Sequence, residues 1–101
     1  MIQTKQELIE AIHANEEKIL SFGVKRLGLF GSFVREEQNE KSDIDLFVEF
    51  KKKYLKLKNL VGLGYYVQDI SGRKVEIITP GSLSKYFGHR ILNETEYIIH
   101  A

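Results

Sequence analysis

The sequence predicts an α/β domain of α+β character, a small mixed β-sheet with helices packed mainly on one face. Three observations carry this reading. Leu27, Leu29 and Phe30 form an apolar run closed by Gly31-Ser32. Asp43 to Phe50 alternates apolar and polar residues with the period of a half-buried strand. A helix-period segment then separates that strand from a third, Val75 to Thr79. A connection of that length makes the second and third strands parallel, with a right-handed crossover. At 101 residues the chain is expected to form one domain, residues 1–101, with a core of modest size.

The elements follow in order. Thr4-Lys5-Gln6-Glu7 matches a capping box, with Thr4 as N-cap and Glu7 reaching back. Leu8, Ile9, Ile12, Ile19 and Leu20 continue at helical spacing, and Gly23 is a plausible stop. Gly28, inside the first strand, leaves room for a close neighbour on its face. Ser32 is placed near the N-cap of a short helix over Phe33 to Gln38. Asn39 to Ser42 reads as a turn. After a basic linker, the apolar positions from Leu55 to Ile70 predict a long helix ending at Ser71-Gly72, weakened by Gly62 and Gly64. Pro80 stops the third strand and can start a short helix. Ile91, Leu92, Tyr97, Ile98 and Ile99 form an apolar tail that packs on the core or on a partner.

Composition narrows the function classes. Apolar residues make up 43% of the chain and charged residues 29%, and the formal net charge is +1, so no global field steers the protein toward nucleic acid or membrane. The absence of cysteine excludes disulfides and thiolate zinc sites. No apolar run is long enough to span a bilayer. The polar start Met1-Ile2-Gln3-Thr4-Lys5-Gln6 does not resemble a signal peptide, so the expected location is the cytoplasm. Lys51, Lys52, Lys53, Lys56 and Lys58 suit either a nucleic-acid backbone or a solvated loop. Nucleic-acid binding and a homo-oligomer stay open. There is no Walker A lysine motif and no nucleophile elbow.

The chemistry concentrates between residues 31 and 76. Asp43 and Asp45 stand one residue apart and point the same way from a strand. Aspartate is depleted in strands, so the pair calls for a reason other than propensity. A divalent cation supplies one, and magnesium prefers one or two carboxylates plus phosphate oxygens. The Gly31-Ser32 turn offers free N–H groups and a hydroxyl to a phosphate. Its ordinary alternative is a capped strand-to-helix turn. Arg35 follows one turn later with a guanidinium fork suited to phosphate oxygens, or to pairing with Glu36, Glu37 or Glu40. If strand three lies beside strand two, Glu76 projects beside Asp43 and Asp45 as a third acid. Otherwise it is an exposed glutamate opposite Lys74 or Arg73.

Gly31-Ser32, Arg35, Ser42-Asp43-Ile44-Asp45-Leu46 and the segment from Gly72 to Pro80 resemble the signature of the minimal nucleotidyltransferases of the DNA polymerase beta superfamily. The resemblance covers nearly the whole chain and implies a nucleotidyltransferase palm. It implies that Gly31 and Ser32 hold the phosphates of the nucleotide, expected to be ATP. It implies that Asp43 and Asp45 hold two Mg2+ ions, with Glu76 as the third acid that ligates metal and activates the acceptor hydroxyl. The third acid in this family is most often an aspartate, and here it is the longer Glu76. Stand-alone members are often paired with a HEPN-domain protein as a toxin–antitoxin system, and some transfer AMP to a tyrosine of that toxin. The alternative is a non-catalytic antitoxin or binding module that neutralises its partner by contact.

Overall fold

In the computed structural model, which describes residues 1–83 and 88–100, the chain runs through four helices and four strands. Helix α1 (Lys5–Ala14) starts as its capping box requires: the Thr4 side chain accepts the Glu7 N–H at 3.1 Å. The Glu7 carboxylate reaches back to the Gln3 N–H instead of that of Thr4. The expected single helix breaks at Asn15, and α2 (Glu16–Leu20) follows. Asn15 Nδ2 donates to the Ala11 carbonyl at 2.7 Å, competing with the main chain, and its Oδ1 accepts from the Tyr66 hydroxyl.

Strands β1 (Val24–Phe30) and β2 (Ile44–Phe50) pair antiparallel. Helix α3 (Leu57–Ser71) then crosses to β3 (Val75–Ile78), which pairs parallel with β2, as the long connection predicted. Gly72 closes α3, its N–H donating to the Gln68 carbonyl at 2.8 Å. Pro80 begins a short 3-10 turn, Pro80–Ser82. The apolar tail becomes α4 (Gly88–Glu94) and β4 (Glu96–His100), and β4 adds to the free side of β1. The sheet order is β3-β2-β1-β4.

Alternation sorts the strand residues between two faces. Leu27, Leu29, Ile44, Leu46 and Val48 are buried against Leu8, Ile12, Ile19, Leu63 and Val67 of the helices. The helix whose apolar positions were read from Leu55 starts at Leu57, and Leu55 and Leu57 are 59% and 76% exposed. On the opposite face, Phe47 and Tyr97 meet edge to face with ring centroids 6.4 Å apart. A Cβ at Gly28 would lie 2.4 Å from Thr95 Cγ2, so the close neighbour anticipated there is the connection from α4 to β4.

No helix among the described residues is long and apolar enough to cross a membrane.

Candidate active site

The acidic residues sit on the sheet face opposite α1 and α3. Phe30, Asp45 and Glu76 are register partners across β1, β2 and β3, so their side chains form one row. Asp43 lies one residue before β2 and is exposed, as is Glu76, whereas Asp45 is half-buried. Burial raises the Asp45 carboxyl, the Glu76 and Asp43 charges raise it further, and a hydrogen bond with Glu76 adds to them; together they bring it to about 6 against the opposing pull of Arg35.

The Gly31 turn lies directly on that carboxylate. Gly31 has φ +77°, and a Cβ there would stand 2.1 Å from Asp45 Oδ2. Only glycine satisfies both the backbone angle and the approach. The turn that follows is not the short helix expected over Phe33 to Gln38. The Arg35 N–H donates to the Gly31 carbonyl at 3.2 Å, but Glu36 turns left-handed at φ 58° and the Glu37 N–H returns to the Ser32 carbonyl at 2.9 Å. Fully buried Phe33 pulls the segment inward and one turn suffices. Ser32 is therefore not a helix N-cap, and any phosphate here would meet individual donors and not a helix dipole.

Arg35 is exposed and engaged by two carboxylates. Its Nε donates to Glu37 Oε1 at 2.5 Å, one of the pairings anticipated from sequence, and its Nη1 donates to Glu94 Oε1. Glu94 also accepts the Gly31 N–H on Oε2 at 3.0 Å. Burial works against its charge, but the Gly31 N–H and the Arg35 guanidinium hold the Glu94 carboxyl below its ordinary value. Nothing in the sequence marked Glu94, which ends a helix in an apolar tail and is 63 residues from Gly31.

Arg73 was also missed. It does not face Glu76 but is buried, at 6% exposure. Its Nε donates to the Ile2 carbonyl at 2.6 Å and its Nη1 to the Asn39 and Ser42 carbonyls, both at 2.8 Å. The guanidinium also stacks 5.0 Å from the centre of the Phe33 ring. Arg73 thus ties the approach to Asp43 to the turn after Gly31-Ser32.

The donors available to a cation are carboxylate oxygens crowded enough to raise one of their own pKa values, a set suited to a hard divalent ion. Among the described residues, no group of three or more His, Cys, Asp or Glu side chains is drawn together as a cage. Asp45 and Glu76 are immediate neighbours, with Asp43 at the strand entrance.

A nucleotidyltransferase domain model matches residues 8–98. The chain belongs to the nucleotidyltransferase domain family. Protein adenylyltransferase MntA of Thermococcus cleftensis is 31% identical over 96 residues, covering 94% of this nucleotidyltransferase and 96% of the relative. A Methanocaldococcus jannaschii protein with a provisional protein adenylyltransferase name is 43% identical over 76 residues, 75% of this chain and 81% of that one. The nucleotidyltransferase also superposes on a solved minimal nucleotidyltransferase with TM-score 0.71 at 29% identity, covering 87% and 93% of the two chains. A solved toxin–antitoxin complex with AMP-PNP shares the fold, with TM-score 0.70 at 19% identity over 87% and 73% of the chains. The mixed sheet of this nucleotidyltransferase is that of the minimal members. The family generally uses divalent metal ions.

Proposed function

We propose that this nucleotidyltransferase moves AMP from ATP to a hydroxyl, a tyrosine on a HEPN-type toxin, and thereby acts as the antitoxin of a pair. The observation that carries the chemistry is the Phe30–Asp45–Glu76 row, with the Gly31 turn lying on Asp45. The relatives named as protein adenylyltransferases support protein as the acceptor. A solved complex of an AMPylated Shewanella oneidensis HEPN toxin with its MNT antitoxin, similar in fold, supports the partner class.

In this reading the Gly31 N–H, the Ser32 hydroxyl and Arg35 hold the phosphates. Asp43 and Asp45, with Glu76, would hold Mg2+, two ions in all, which when bound neutralise the triphosphate and stabilise the attacking and leaving oxygens. A Glu76 carboxylate oxygen takes the proton of the acceptor hydroxyl. The acceptor oxygen bonds to the α-phosphorus, the bond from that phosphorus to the bridging oxygen breaks, and pyrophosphate leaves. Arg73 holds the approach to Asp43 in place, so the chain's own contribution is positioning and charge.

The test is transfer from labelled ATP to a co-purified HEPN partner, with mass spectrometry of the acceptor. Asp43→Asn with Asp45→Asn is expected to abolish transfer in a folded protein. Transfer that persists in that variant refutes the site. A contact-only antitoxin is the second reading. It is favoured by the exposed apolar stripe Leu57, Val61 and Tyr65, at 76%, 43% and 64% exposure, beside the lysines of residues 51–58. Under that reading the double variant still neutralises the toxin.

A further inference from the structure

A carboxylate stands where the proposed function needs phosphate oxygens. Glu94 Oε2 takes the Gly31 N–H at 3.0 Å, and Glu94 Oε1 takes Arg35 Nη1. These are two of the three groups assigned above to the triphosphate, and the present inference rests on that assignment. Glu94 is also held by folded structure. The next residue, Thr95, donates its N–H to the Ile91 carbonyl at 2.9 Å and its hydroxyl to the same carbonyl at 2.6 Å. Its methyl packs where Gly28 lacks a side chain.

A carboxylate and a phosphate ask for the same donors, N–H groups and a guanidinium fork, and carry the same sign of charge. They cannot occupy one N–H and one Arg35 edge together. We infer that Glu94 is an internal competitor for the phosphate seat and sets the nucleotide affinity: triphosphate enters as the Glu94 carboxylate withdraws. The buried Gly31 N–H keeps an acceptor in both states, Glu94 before binding and a phosphate oxygen after it. The Gly31 N–H and the Arg35 guanidinium both favour the charged form of this carboxylate. Glu37 pairs with Arg35 through Nε, an edge that Glu94 does not use, so the withdrawal of Glu94 does not require that pair to break.

The alternative role for Glu94 is support of Arg35, and the two roles predict opposite signs. Calorimetry with inorganic tripolyphosphate, and separately with Mg-ATP, compares wild type, Glu94→Ala, Glu94→Gln, Arg35→Ala and the Glu94→Ala/Arg35→Ala pair. Thermal melts check each fold. Competition predicts binding about tenfold tighter in Glu94→Ala, as for a site freed from a closed state that dominates. The gain is smaller in Glu94→Gln, which keeps the size but loses the charge, and it shrinks when Arg35 is also removed, because only the Gly31 N–H is then contested. Equal or weaker binding in both folded Glu94 variants, beside a wild type that binds Mg-ATP, overturns the competition and leaves the proposed function standing. Binding of neither probe by any protein overturns the phosphate seat, and the competition with it. Should Glu94→Ala not fold, the same-size Glu94→Gln decides the sign.

Discussion

Replacing Asp45 with asparagine is expected to stabilise the protein while removing its chemistry. Asp45 is half-buried, beside Glu76 in register and near Asp43, and its carboxyl is pushed from the ordinary 3.8 to about 6. The sign follows from linkage: a carboxyl whose folded pKa is raised binds more protons folded than unfolded, so stability falls as pH rises from about 4 to about 6. Above that window the penalty is fully present, and below it there is none. At about 1.36 kcal/mol for each pH unit, the difference from 3.8 to about 6 corresponds to about 3 kcal/mol in a dry site. Solvent screening of a half-buried group reduces this to about 1–1.5 kcal/mol. For a domain of this size that is a rise of about 4–10 °C in Tm. The amide also donates to Glu76 where a charged Asp45 cannot. Thermal melts by circular dichroism in EDTA, at pH 4.5, 6 and 7.5, follow the difference between Asp45→Asn and wild type. The gap is expected to open across this range and to level off above pH 6. A variant no more stable than wild type at pH 7.5, or a gap that does not change with pH, refutes the account of crowded carboxylates.

Four further substitutions separate fold from site. Gly31→Ala places a Cβ 2.1 Å from Asp45 Oδ2 at a left-handed angle, so a loss of about 2 kcal/mol is expected in urea titration, together with weaker ATP binding. Leu63→Ala empties a fully buried position and is expected to cost about 3 kcal/mol by the same measurement. Arg73→Met removes the donor to the Ile2 and Ser42 carbonyls, leaves the Asn39 carbonyl with the Ser42 N–H alone, and should lower stability by about 2–3 kcal/mol; a loss under about 0.5 kcal/mol would show that water replaces the guanidinium. Arg35→Ala breaks exposed ion pairs and is expected to move stability by less than about 1 kcal/mol, while tripolyphosphate affinity in calorimetry falls; a collapse in Tm would make Arg35 structural.

Local pattern alone was enough for the frame of this protein. The alternation of Ile44, Leu46 and Val48 against Asp45 and Glu49 defined a strand and its two faces, because side chains on a strand alternate whatever lies beyond it. The length of the Leu57–Ser71 helix made β2 and β3 parallel, and parallel pairing set Glu76 beside Asp45. What the pattern could not resolve depended on partners distant in the chain. The segment after Ser32 reads as a helix by composition, yet burying Phe33 and turning left-handed at Glu36 ends it after one turn. Ile98 and Ile99 announce only an apolar tail until β1 offers them an unpaired edge. Arg73 looks like a surface charge until the N-terminus, the 39–42 turn and Phe33 close around it. Glu94 carries no local signal, because its meaning comes from Gly31 and Arg35, which only the folded chain brings to it. The acidic row was written in strand periodicity; the carboxylate now seated on the Gly31 turn was decided by tertiary packing.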